Sequence, residues 1–403
     1  MNKLFKRCLY YLAGCVVLEN FMLFSVLGAP VQPSHLVFVV AILAALVCSR
    51  LKINRRLVGV MIVLLLLPLA TFYRINDTTE FIKSYIILVL DIVFICFAVP
   101  RFIFVLSDDR VYKKFLNILV SVITAAELFG ILQFVINNTT GIDIAHGIFG
   151  PFESHICLTS YKWGIYRAYS IFHEPSVFAW ICSFGLAILL YKGDKITKNR
   201  TLKFCYYAIN AIAMLTTLST IGYVTYVLLV FCALIVDRKA SIKKIIIGLG
   251  VLLCIYLVLR YTSAINVVSR ISTELGVKDS SGYERTVVPW EYMKRTFEYY
   301  PIFGRGLGQI GNVDKVGIIG LTAGVNNSIM GIFIDFGLSA IIPISFFVGA
   351  MIKCIRRNKR SVVIVLNMLI IFFSTGAYMA LSVVVVQICG YLLCFDQRGL
   401  EKS

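Results

Sequence analysis

Long apolar runs alternate with short polar and charged segments along nearly the whole chain. A run of about 20 apolar residues is long enough to cross a bilayer as a helix. The runs, several of them shorter than this, cover residues 8–27, 36–49, 57–72, 85–99, 115–136, 175–191, 204–219, 221–236, 245–259, 327–352, 361–376 and 377–395. The pattern predicts an all-α, polytopic integral membrane protein with about 12 transmembrane helices, in a single membrane domain over residues 1–403.

Two polar segments between these runs are longer than the others, residues 137–174 and residues 260–326. If the N-terminus lies inside the cell, both segments are external loops. Long loops on a compact scaffold are where binding and catalysis concentrate. We therefore expect the function to lie in these two loops.

The second loop contains a segment with the spacing of a short amphipathic helix. Pro289 suits a first helical position, and Pro301 ends the segment. Apolar side chains recur on one face and opposite charges are four residues apart, which favours a helix lying on the membrane surface. The apolar face consists of Trp290, Met293, Phe297 and Tyr300, and the expected ion pairs are Glu291 with Arg295 and Lys294 with Glu298.

The composition supports a membrane location. Of the 403 residues, 59% are hydrophobic and only 15% are charged, against ~25% charged in typical soluble domains, which excludes a soluble globular protein. A net charge of +18 would suggest a nucleic-acid partner in a soluble chain. Most Lys and Arg residues, however, fall in segments that an inside N-terminus places in the cytoplasm, as the positive-inside rule requires. We therefore expect both termini to be cytoplasmic and no nucleic acid to bind.

Cysteine and histidine spacing gives no sign of a metal centre. The 12 cysteines include no Cys-x-x-Cys pair, and nearly all of them lie in or beside apolar runs. His35, His146 and His155 also lack the spacing of metal ligands. We expect neither a metal nor a cofactor.

The densest group of reactive side chains ends the first loop, in the segment Arg167-Ala-Tyr-Ser-Ile-Phe-His-Glu-Pro-Ser176. It places a guanidinium, an imidazole and a carboxylate close together in the chain. Pro175 starts the next helix, so His173 and Glu174 lie at a helix N-terminus, where anionic groups are favoured. The alternative is that Glu174 only caps this helix and that Arg167 contacts lipid headgroups.

The second loop supplies Arg285, Lys294, Arg295 and Arg305 near the same predicted membrane face. Arginine holds phosphate oxygens through two parallel hydrogen bonds and keeps its charge, so arginines beside an apolar groove suit a lipid-linked pyrophosphate. Lys294 and Arg295 have acidic neighbours at helical spacing and are interpreted as solvated ion pairs. Arg285 and Arg305 are therefore the better candidates for binding.

Residues 306–311, Gly-Leu-Gly-Gln-Ile-Gly, match the dinucleotide pattern G-x-G-x-x-G. No predicted strand precedes them and no βαβ unit surrounds them, so we reject a dinucleotide site. The glycines are expected either to let backbone amides approach a ligand or to form a tight turn.

Four carboxylates fall inside apolar runs, namely Glu19, Asp91, Glu127 and Asp335. Carboxylates within a membrane are costly and are functional candidates by default. Glu19 and Asp91 stand singly and are interpreted as structural. Asp335 lies roughly two helical turns after Asn326, which places it below a site built by the second loop.

Three short motifs follow one another in residues 165–355, each combining polar residues with Pro or Gly. They are Arg167 before Glu174-Pro175-Ser176, Arg285 and Trp290 before Pro301-Ile-Phe-Gly-Arg-Gly-Leu-Gly308, and Asn326-Asn327 followed after nine residues by Gly337. In order and spacing they resemble the motifs of the O-antigen polymerase and ligase superfamily, which are polytopic bacterial membrane glycosyltransferases.

The resemblance implies a polysaccharide polymerase at the external face of the bacterial cytoplasmic membrane. Such an enzyme transfers a growing glycan from undecaprenyl pyrophosphate to a new lipid-linked repeat unit, for O-antigen, capsule or exopolysaccharide. Its partners would be the undecaprenyl-pyrophosphate-linked oligosaccharide and membrane lipid, with a chain-length regulator left open.

The resemblance also assigns roles to the motif residues. Arg167 and Arg285 would hold the pyrophosphate, and Glu174, or else His173, would be the general base. Further candidates for binding the pyrophosphate or the glycan are Arg305, Trp290, Asn326, Asn327 and Asp335.

Two alternatives remain at this point. Asn326 stands where ligases of the superfamily carry a histidine, and asparagine cannot act as a base, so a polymerase is favoured over a ligase. Ala340 stands where the family prefers Gly, Thr or Tyr. A transporter or flippase of lipid-linked glycan is the alternative from another class, although the chain shows no matching halves of the kind that inverted-repeat transporters have.

Overall fold

A computed structural model of the chain describes residues 2–18, 21–26, 29–48, 55–149, 161–162, 165–236, 281–309, 327–375 and 381–395. These residues are predominantly helical. The α-helices are α1 (Asn2–Leu18), α2 (Pro33–Cys48), α3 (Arg55–Leu69), α4 (Thr78–Leu106), α5 (Asp109–Thr140), α6 (Ile144–Phe149), α7 (Pro175–Ile196), α8 (Arg200–Thr216), α9 (Thr220–Val236), α10 (Ser281–Tyr299), α11 (Ser328–Phe336), α12 (Ile341–Arg357), α13 (Val362–Ser374) and α14 (Leu381–Leu393). Two short antiparallel hairpins pair β1 (Phe24–Val26) with β2 (Ala29–Val31) and β3 (Tyr161–Lys162) with β4 (Ile165–Tyr166).

The prediction of a helical membrane protein is confirmed. Within the described residues each predicted apolar run overlaps a helix, whereas the run 245–259 lies outside them. The segments long and apolar enough to cross a membrane are Leu57–Arg74, Thr78–Leu106, Asp109–Thr140, Pro175–Ile196 and Ser328–Arg357, and shorter apolar helices are Pro33–Val47, Thr220–Val236 and Val383–Leu393. A total of about 12 spans stays a prediction.

The first helix is displaced from its predicted run. α1 begins at Asn2, six residues before the start of that run, and ends at Leu18. Residues 24–26 and 29–31 then pair as the antiparallel β1–β2 hairpin, outside the helix.

Apolar side chains serve both as the core and as the outer surface of the bundle. Between α2 and α4, the rings of Phe38 and Phe94 are fully buried and stack with centroids 3.7 Å apart. On the outside, Phe104 is 67% exposed and Phe204 is 71% exposed. Large apolar side chains on an outer surface suit contact with lipid, which is the solvent for a membrane-spanning helix.

The carboxylates inside the apolar runs are enclosed by protein. Glu127 on α5 accepts a hydrogen bond from the side-chain amide of Asn210 on α8. Asp91 is 5% exposed and Asp335 is 1% exposed. Glu19 lies outside the described residues. Enclosure within the bundle is the usual location of intramembrane carboxylates.

One end of the bundle is defined by the short connection between α4 and α5, and we call it the Asp108 end. The Nζ atom of Lys6 in α1 lies 3.2 Å from the Asp108 carboxylate, and that of Lys195 in α7 lies 4.0 Å from Asp109. The hydroxyl of Tyr112, in the first turn of α5, donates to the carbonyl of Leu393 at the end of α14, at 2.9 Å. The start of α1 and the end of α14 therefore lie at the same end.

The opposite end carries the loops of interest, and we call it the site end. It holds the start of α4, the end of α5, the start of α7 and the end of α8, because these helices run alternately up and down. The Asn138 side-chain amide near the end of α5 donates to the carbonyl of Tyr166, at 2.9 Å. Assignment of the Asp108 end to the cytoplasm stays a prediction.

The amphipathic helix of the second loop, α10, differs from its prediction. It begins at Ser281, so Pro289 lies inside the helix and not at its first position. Proline lacks the N–H that would bond the carbonyl of Arg285 four residues earlier, and a helix interrupted in this way bends. Val288, directly before the proline, and Tyr292, after it, pack against Ile334 of α11, and this contact stabilises the helix on both sides of the proline.

The predicted ion pairs on α10 are wrong. Among the described residues, Glu291 forms none with Arg295, and Lys294 forms none with Glu298. Lys294, Arg295 and Glu298 are exposed. An ion pair between exposed side chains is hardly more stable than the same two groups hydrated separately.

Candidate active site

The start of α7 presents Glu174 and Ser176 at the site end. Glu174 is the residue before the helix and Pro175 is its first residue, as the sequence predicted. Glu174 occupies the N-cap position, but its side chain makes no capping hydrogen bond to the helix backbone. Its Oε2 atom instead accepts a hydrogen bond from the Ser176 hydroxyl at 2.7 Å, and the side chain is exposed.

The segment before α7 is held to α5 by a glutamine. The Gln133 Oε1 atom accepts from the backbone N–H groups of Tyr169 and Ser170, at 3.0 and 2.7 Å. The hydroxyl of Ser170 donates to the carbonyl of Ala126 at 2.7 Å. Ser170 has φ of 55°, a conformation that a serine adopts only when its surroundings impose it. Gln133 therefore fixes the turn that carries the motif.

A second support for this turn comes from the start of α6. The Tyr169 hydroxyl donates to the Asp143 carboxylate at 2.7 Å, and the Gln133 side-chain amide lies 3.5 Å from the same carboxylate. Tyr169 is 1% exposed. Burial of a large aromatic ring that is also hydrogen bonded restricts the turn to one conformation.

Arg167 lies against the last carbonyls of α8. Its Nε atom donates to the carbonyl of Thr217 at 3.0 Å, and the N–H of Ala168 donates to the carbonyl of Thr216 at 3.0 Å. Carbonyls at a helix C-terminus carry partial negative charge and favour a guanidinium.

The second group of site residues begins on α10. Arg285 is half-buried, one turn before Val288, where α10 packs on α11. Trp290 is 56% exposed and faces away from that contact. Burial raises the pKa of the Tyr292 hydroxyl, and the nearby positive charges of Arg305 and Arg295 oppose that shift.

The glycine-rich loop after α10, residues 301–309, packs on the end of α11. Four backbone hydrogen bonds join the two segments. They run from Arg305 N to Ile334 O (2.8 Å), Gly306 N to Asp335 O (3.0 Å), Leu338 N to Pro301 O (2.8 Å) and Ser339 N to Ile302 O (2.9 Å). The second and third sequence motifs therefore meet in one junction.

Two motif glycines allow this junction to form. A Cβ atom on Gly337 would lie 2.6 Å from the nitrogen of Gly304 and 2.6 Å from the carbonyl oxygen of Pro301. Gly304 and Gly337 both have positive φ, 68° and 57°. Of the glycines in residues 306–311, Gly306 has its amide bonded to the carbonyl of Asp335, as the tight-turn alternative expects, and Gly311 lies outside the described residues.

Gln309 joins the glycine-rich loop to the start of α4. Its Oε1 atom accepts from the N–H groups of Asn76 and Asp77, at 3.2 and 3.1 Å, and its Nε2 atom donates to the carbonyl of Asp77 at 3.0 Å. Gln309 is 4% exposed. Gly308 packs closely on the same helix, since a Cβ there would lie 2.7 Å from the Ser84 hydroxyl. The glycine-rich loop is thus bound to the start of α4 on one side and to the end of α11 on the other.

The remaining predicted residues have structural surroundings. Asn327 caps α11, its Oδ1 accepting from the N–H of Met330 at 3.1 Å, and it is 7% exposed. Arg305 is 6% exposed, and the Asp335 side chain is buried beneath the glycine-rich loop. Asn326 lies outside the described residues. The role of each in binding stays a prediction.

The structure brings the predicted residues together in two groups at the site end. Arg167, His173 and Glu174 form one group, in the turn before α7. The other lies on α10, the glycine-rich loop and α11. Sequence reasoning missed the residues that support both groups, such as Gln133 and Gln309.

A signal for part of this support is visible in α5. Glu127, Gly130, Gln133 and Asn137 recur every three or four residues in a stretch of α5, residues 127–137, that is otherwise apolar. That spacing places small and polar residues on one face. Gly130 lies in that face where α5 meets the Phe178 ring of α7.

No metal centre is visible in the part of the chain that the structure describes. Within it, His, Cys, Asp and Glu side chains form no group of three or more that could hold a metal ion.

The fold and this end of the bundle define a helical integral membrane protein with a polar, arginine-containing site where its helices end. Compared with known families, the model of the WcaD colanic acid polymerase family matches residues 8–394. The chain belongs to that family, and it is accordingly a polysaccharide polymerase, a glycosyltransferase of the membrane. The resemblance to O-antigen polymerases is thereby confirmed. No curated protein matches the chain.

Proposed function

We propose that the chain joins lipid-linked repeat units at the external face of the bacterial cytoplasmic membrane. The donor is a growing glycan on undecaprenyl pyrophosphate, and the acceptor is a sugar hydroxyl of a new lipid-linked unit. The observation that carries this proposal is membership of a polysaccharide polymerase family over residues 8–394. The arginine and carboxylate of the turn before α7, together at the site end, support it.

The transfer exchanges one bond at the anomeric carbon of the donor sugar. The acceptor oxygen forms a bond to that carbon while the bond from carbon to the pyrophosphate oxygen breaks. The electron pair of the broken bond stays on the pyrophosphate, and undecaprenyl pyrophosphate leaves. The hydroxyl proton of the acceptor passes to a base. The donor already carries its leaving group, so the proposal requires no metal and no nucleotide.

Arg167 and Arg285 are proposed to stabilise the charge that develops on the leaving pyrophosphate. Oriented cations in a site with little water are among the strongest contributions to catalysis. Support for Arg167 comes from its fixed position, since Nε is bonded to Thr217 and the turn is tied to Gln133. Arg305, Trp290, Asn326, Asn327 and Asp335 are proposed to bind the pyrophosphate or the glycan.

Glu174 is the proposed general base, with His173 as the second candidate. Its carboxylate is exposed and forms no ion pair within the described residues, while Ser176 holds one oxygen. A carboxylate oriented in this way can accept a proton from a hydroxyl that lies within hydrogen-bond reach.

The reaction is tested with the full chain in lipid nanodiscs and a synthetic undecaprenyl-pyrophosphate repeat unit as the only substrate. We expect polymer to form, with one undecaprenyl pyrophosphate released for each new linkage. Mass spectrometry of the glycan and the lipid measures both. Release of lipid without a lengthened glycan would contradict polymerisation, and movement of intact units across a vesicle membrane would favour a transporter.

The pyrophosphate role is tested by Arg167→Ala and Arg285→Ala in the same assay. Each change should lower kcat by about a hundredfold or more, as loss of one charge-stabilising donor does. Arg110→Ala, which removes an exposed charge at the Asp108 end, is the matched control and should leave polymer length unchanged. If both site variants fold normally and still make long polymer, the assignment is wrong.

A further inference from the structure

The connection between α3 and α4 contains an arginine, Arg74, that belongs to none of the three motifs. It lies next to the glycine-rich loop. Arg74 is the last residue of the apolar segment Leu57–Arg74, so it lies where that segment leaves the membrane at the site end. Its guanidinium carbon lies 4.8 Å from the ring centroid of Tyr73 and 5.1 Å from that of Tyr300. Tyr300 is the residue directly before the glycine-rich loop.

The backbone around Arg74 is fixed to the same loop. Gln309 bonds to the N–H groups of Asn76 and Asp77 and to the carbonyl of Asp77. On the other side, Thr71 lies against Gly306, where a Cβ would be 3.2 Å from the threonine hydroxyl. Arg74 is therefore held at a set position relative to the junction of the second and third motifs. Rigid placement of this kind reduces the entropy lost on binding.

No carboxylate neutralises Arg74 in the described part of the chain. The two acids that follow it have other roles. Asp77 caps α4 by accepting from the N–H of Glu80 at 3.0 Å, and Glu80 lies 3.0 Å from the Nζ of Lys83. The guanidinium thus keeps its charge beside two tyrosine rings.

The contacts of the Arg74 side chain within the described residues are with aromatic rings. A cation over an aromatic ring uses the face of the guanidinium, whereas its N–H bonds point outward in the plane. Arg74 is half-buried, and the side chain of Tyr73 beside it is 73% exposed, whereas Arg305 is only 6% exposed. In-plane N–H pairs bind phosphate oxygens through two parallel hydrogen bonds.

We infer that Arg74 binds a phosphate group of the lipid pyrophosphate of a substrate, next to the glycine-rich loop. The inference rests on the proposed function and adds to it a residue from the N-terminal half of the chain. A phosphate of a bulk lipid headgroup has the same chemistry. Anchoring to bulk lipid, however, requires no fixed orientation, whereas the Arg74 guanidinium lies against two tyrosine rings and Gln309 binds the backbone two and three residues further on.

The test compares the full chain with Arg74→Ala, Arg74→Lys and Arg110→Ala in phosphatidylcholine nanodiscs. Two quantities are measured: the KM for the lipid-linked repeat unit and the binding of geranyl pyrophosphate, a short prenyl pyrophosphate. Arg74→Ala should raise KM and weaken geranyl pyrophosphate binding by about tenfold or more. Arg74→Lys should recover only part of this, because an ammonium lacks the planar pair of donors. Arg110→Ala should match the unchanged chain.

Three results overturn or separate the proposals. Unchanged KM and unchanged binding in Arg74→Ala, with Arg167→Ala inactive, would overturn this inference alone. An effect seen only in nanodiscs with added phosphatidylglycerol would assign Arg74 to bulk headgroups and overturn it as well. If the unchanged chain itself makes no polymer from the lipid-linked repeat unit, the proposed function fails. Should Arg74→Ala not fold, Arg74→Gln, which keeps donors but no charge, serves for the same comparison.

Discussion

At the scale of single residues, side-chain amides hold the candidate site together. Gln133 accepts from two consecutive N–H groups of the turn that carries Arg167, and Gln309 both accepts from and donates to the backbone at the start of α4. An amide offers donors and acceptors without a charge. It therefore satisfies buried backbone groups without the cost of burying an ion.

Replacing Glu174 by glutamine tests the general base. Glu174→Gln keeps an oxygen that can accept from Ser176 but loses the basic carboxylate. We expect kcat to fall by about a hundredfold or more, with KM nearly unchanged, since the contribution lies in proton transfer. Polymer formation by the purified variant measures this.

Ser176→Ala is the matched control for this prediction. It removes the hydrogen bond to the Glu174 carboxylate and leaves the carboxylate in place, so its kcat should fall much less. Full polymer length with Glu174→Gln would exclude this residue as the base, and His173→Ala would then test the second candidate.

The sequence reveals the residues that could react but not those that position them. Arg167 and Glu174 stand out because a guanidinium and a carboxylate lie in one short polar segment directly before an apolar run. Gln309 does not stand out, because its partner Asp77 lies 232 residues earlier in the chain. Thr217 acts through its backbone carbonyl, which every residue has. Contacts of these kinds become visible only when the chain is folded.

At the scale of elements, two sequence motifs form one backbone junction. The loop 301–309 and the turn after α11 exchange four hydrogen bonds, and Gly304 meets Gly337 where no side chain fits. The motif glycines are thus explained by close packing. This also accounts for the burial of Asp335, because its carbonyl accepts from the loop.

Gly337→Ala should destabilise this junction. The new methyl group would lie 2.6 Å from two backbone atoms, at a φ of 57° that disfavours alanine. We expect a loss of at least about 1–3 kcal/mol, measured by thermal unfolding of the full chain in detergent.

Gly349→Ala in α12 is the control for Gly337→Ala. Nothing lies within 4 Å of the position that its Cβ would occupy, and alanine favours a helix over glycine, so stability should stay equal or rise. Equal losses for the two variants would show that close packing at Gly337 is not the cause.

The apolar pattern predicts most helices but places some of their ends wrongly. α4 and α5 extend beyond their apolar runs on both sides, and they begin early because the side chains of Asp77 and Asp108 cap their first turns outside the apolar part. α10 begins eight residues before Pro289, since packing on α11 compensates for the interruption. Tertiary contacts of this kind override local signals.

At the scale of the whole molecule, the bundle has two chemically different ends. The Asp108 end holds Lys6, Lys195 and the start of α1, whereas the site end holds Arg167 and the glycine-rich loop. Both groups of predicted site residues lie at the same end, which a shared reaction requires. Their location relative to the cell is a separate question.

Cysteine labelling of intact cells tests the orientation. In a Cys157→Ser, Cys205→Ser background, which removes the cysteine of the first predicted external loop and an exposed native thiol, Thr139→Cys places a thiol at the site end and Lys113→Cys places one at the Asp108 end. Both positions are exposed. A membrane-impermeant maleimide should label Thr139→Cys in intact spheroplasts and Lys113→Cys only after lysis. The reverse pattern would place the site in the cytoplasm and contradict the proposed function.

The anchoring of the glycine-rich loop on two sides limits how this polymerase can be re-engineered. Consider a chimera in which only residues 301–309 come from a relative. Its new loop would pack against the original start of α4 and the original turn after α11, where the spacing leaves no room for an extra methyl group. Residues 71–84 and residues 334–340 both pack on the glycine-rich loop 301–309. Grafting new substrate preference onto this scaffold therefore means exchanging three distant stretches of the gene together.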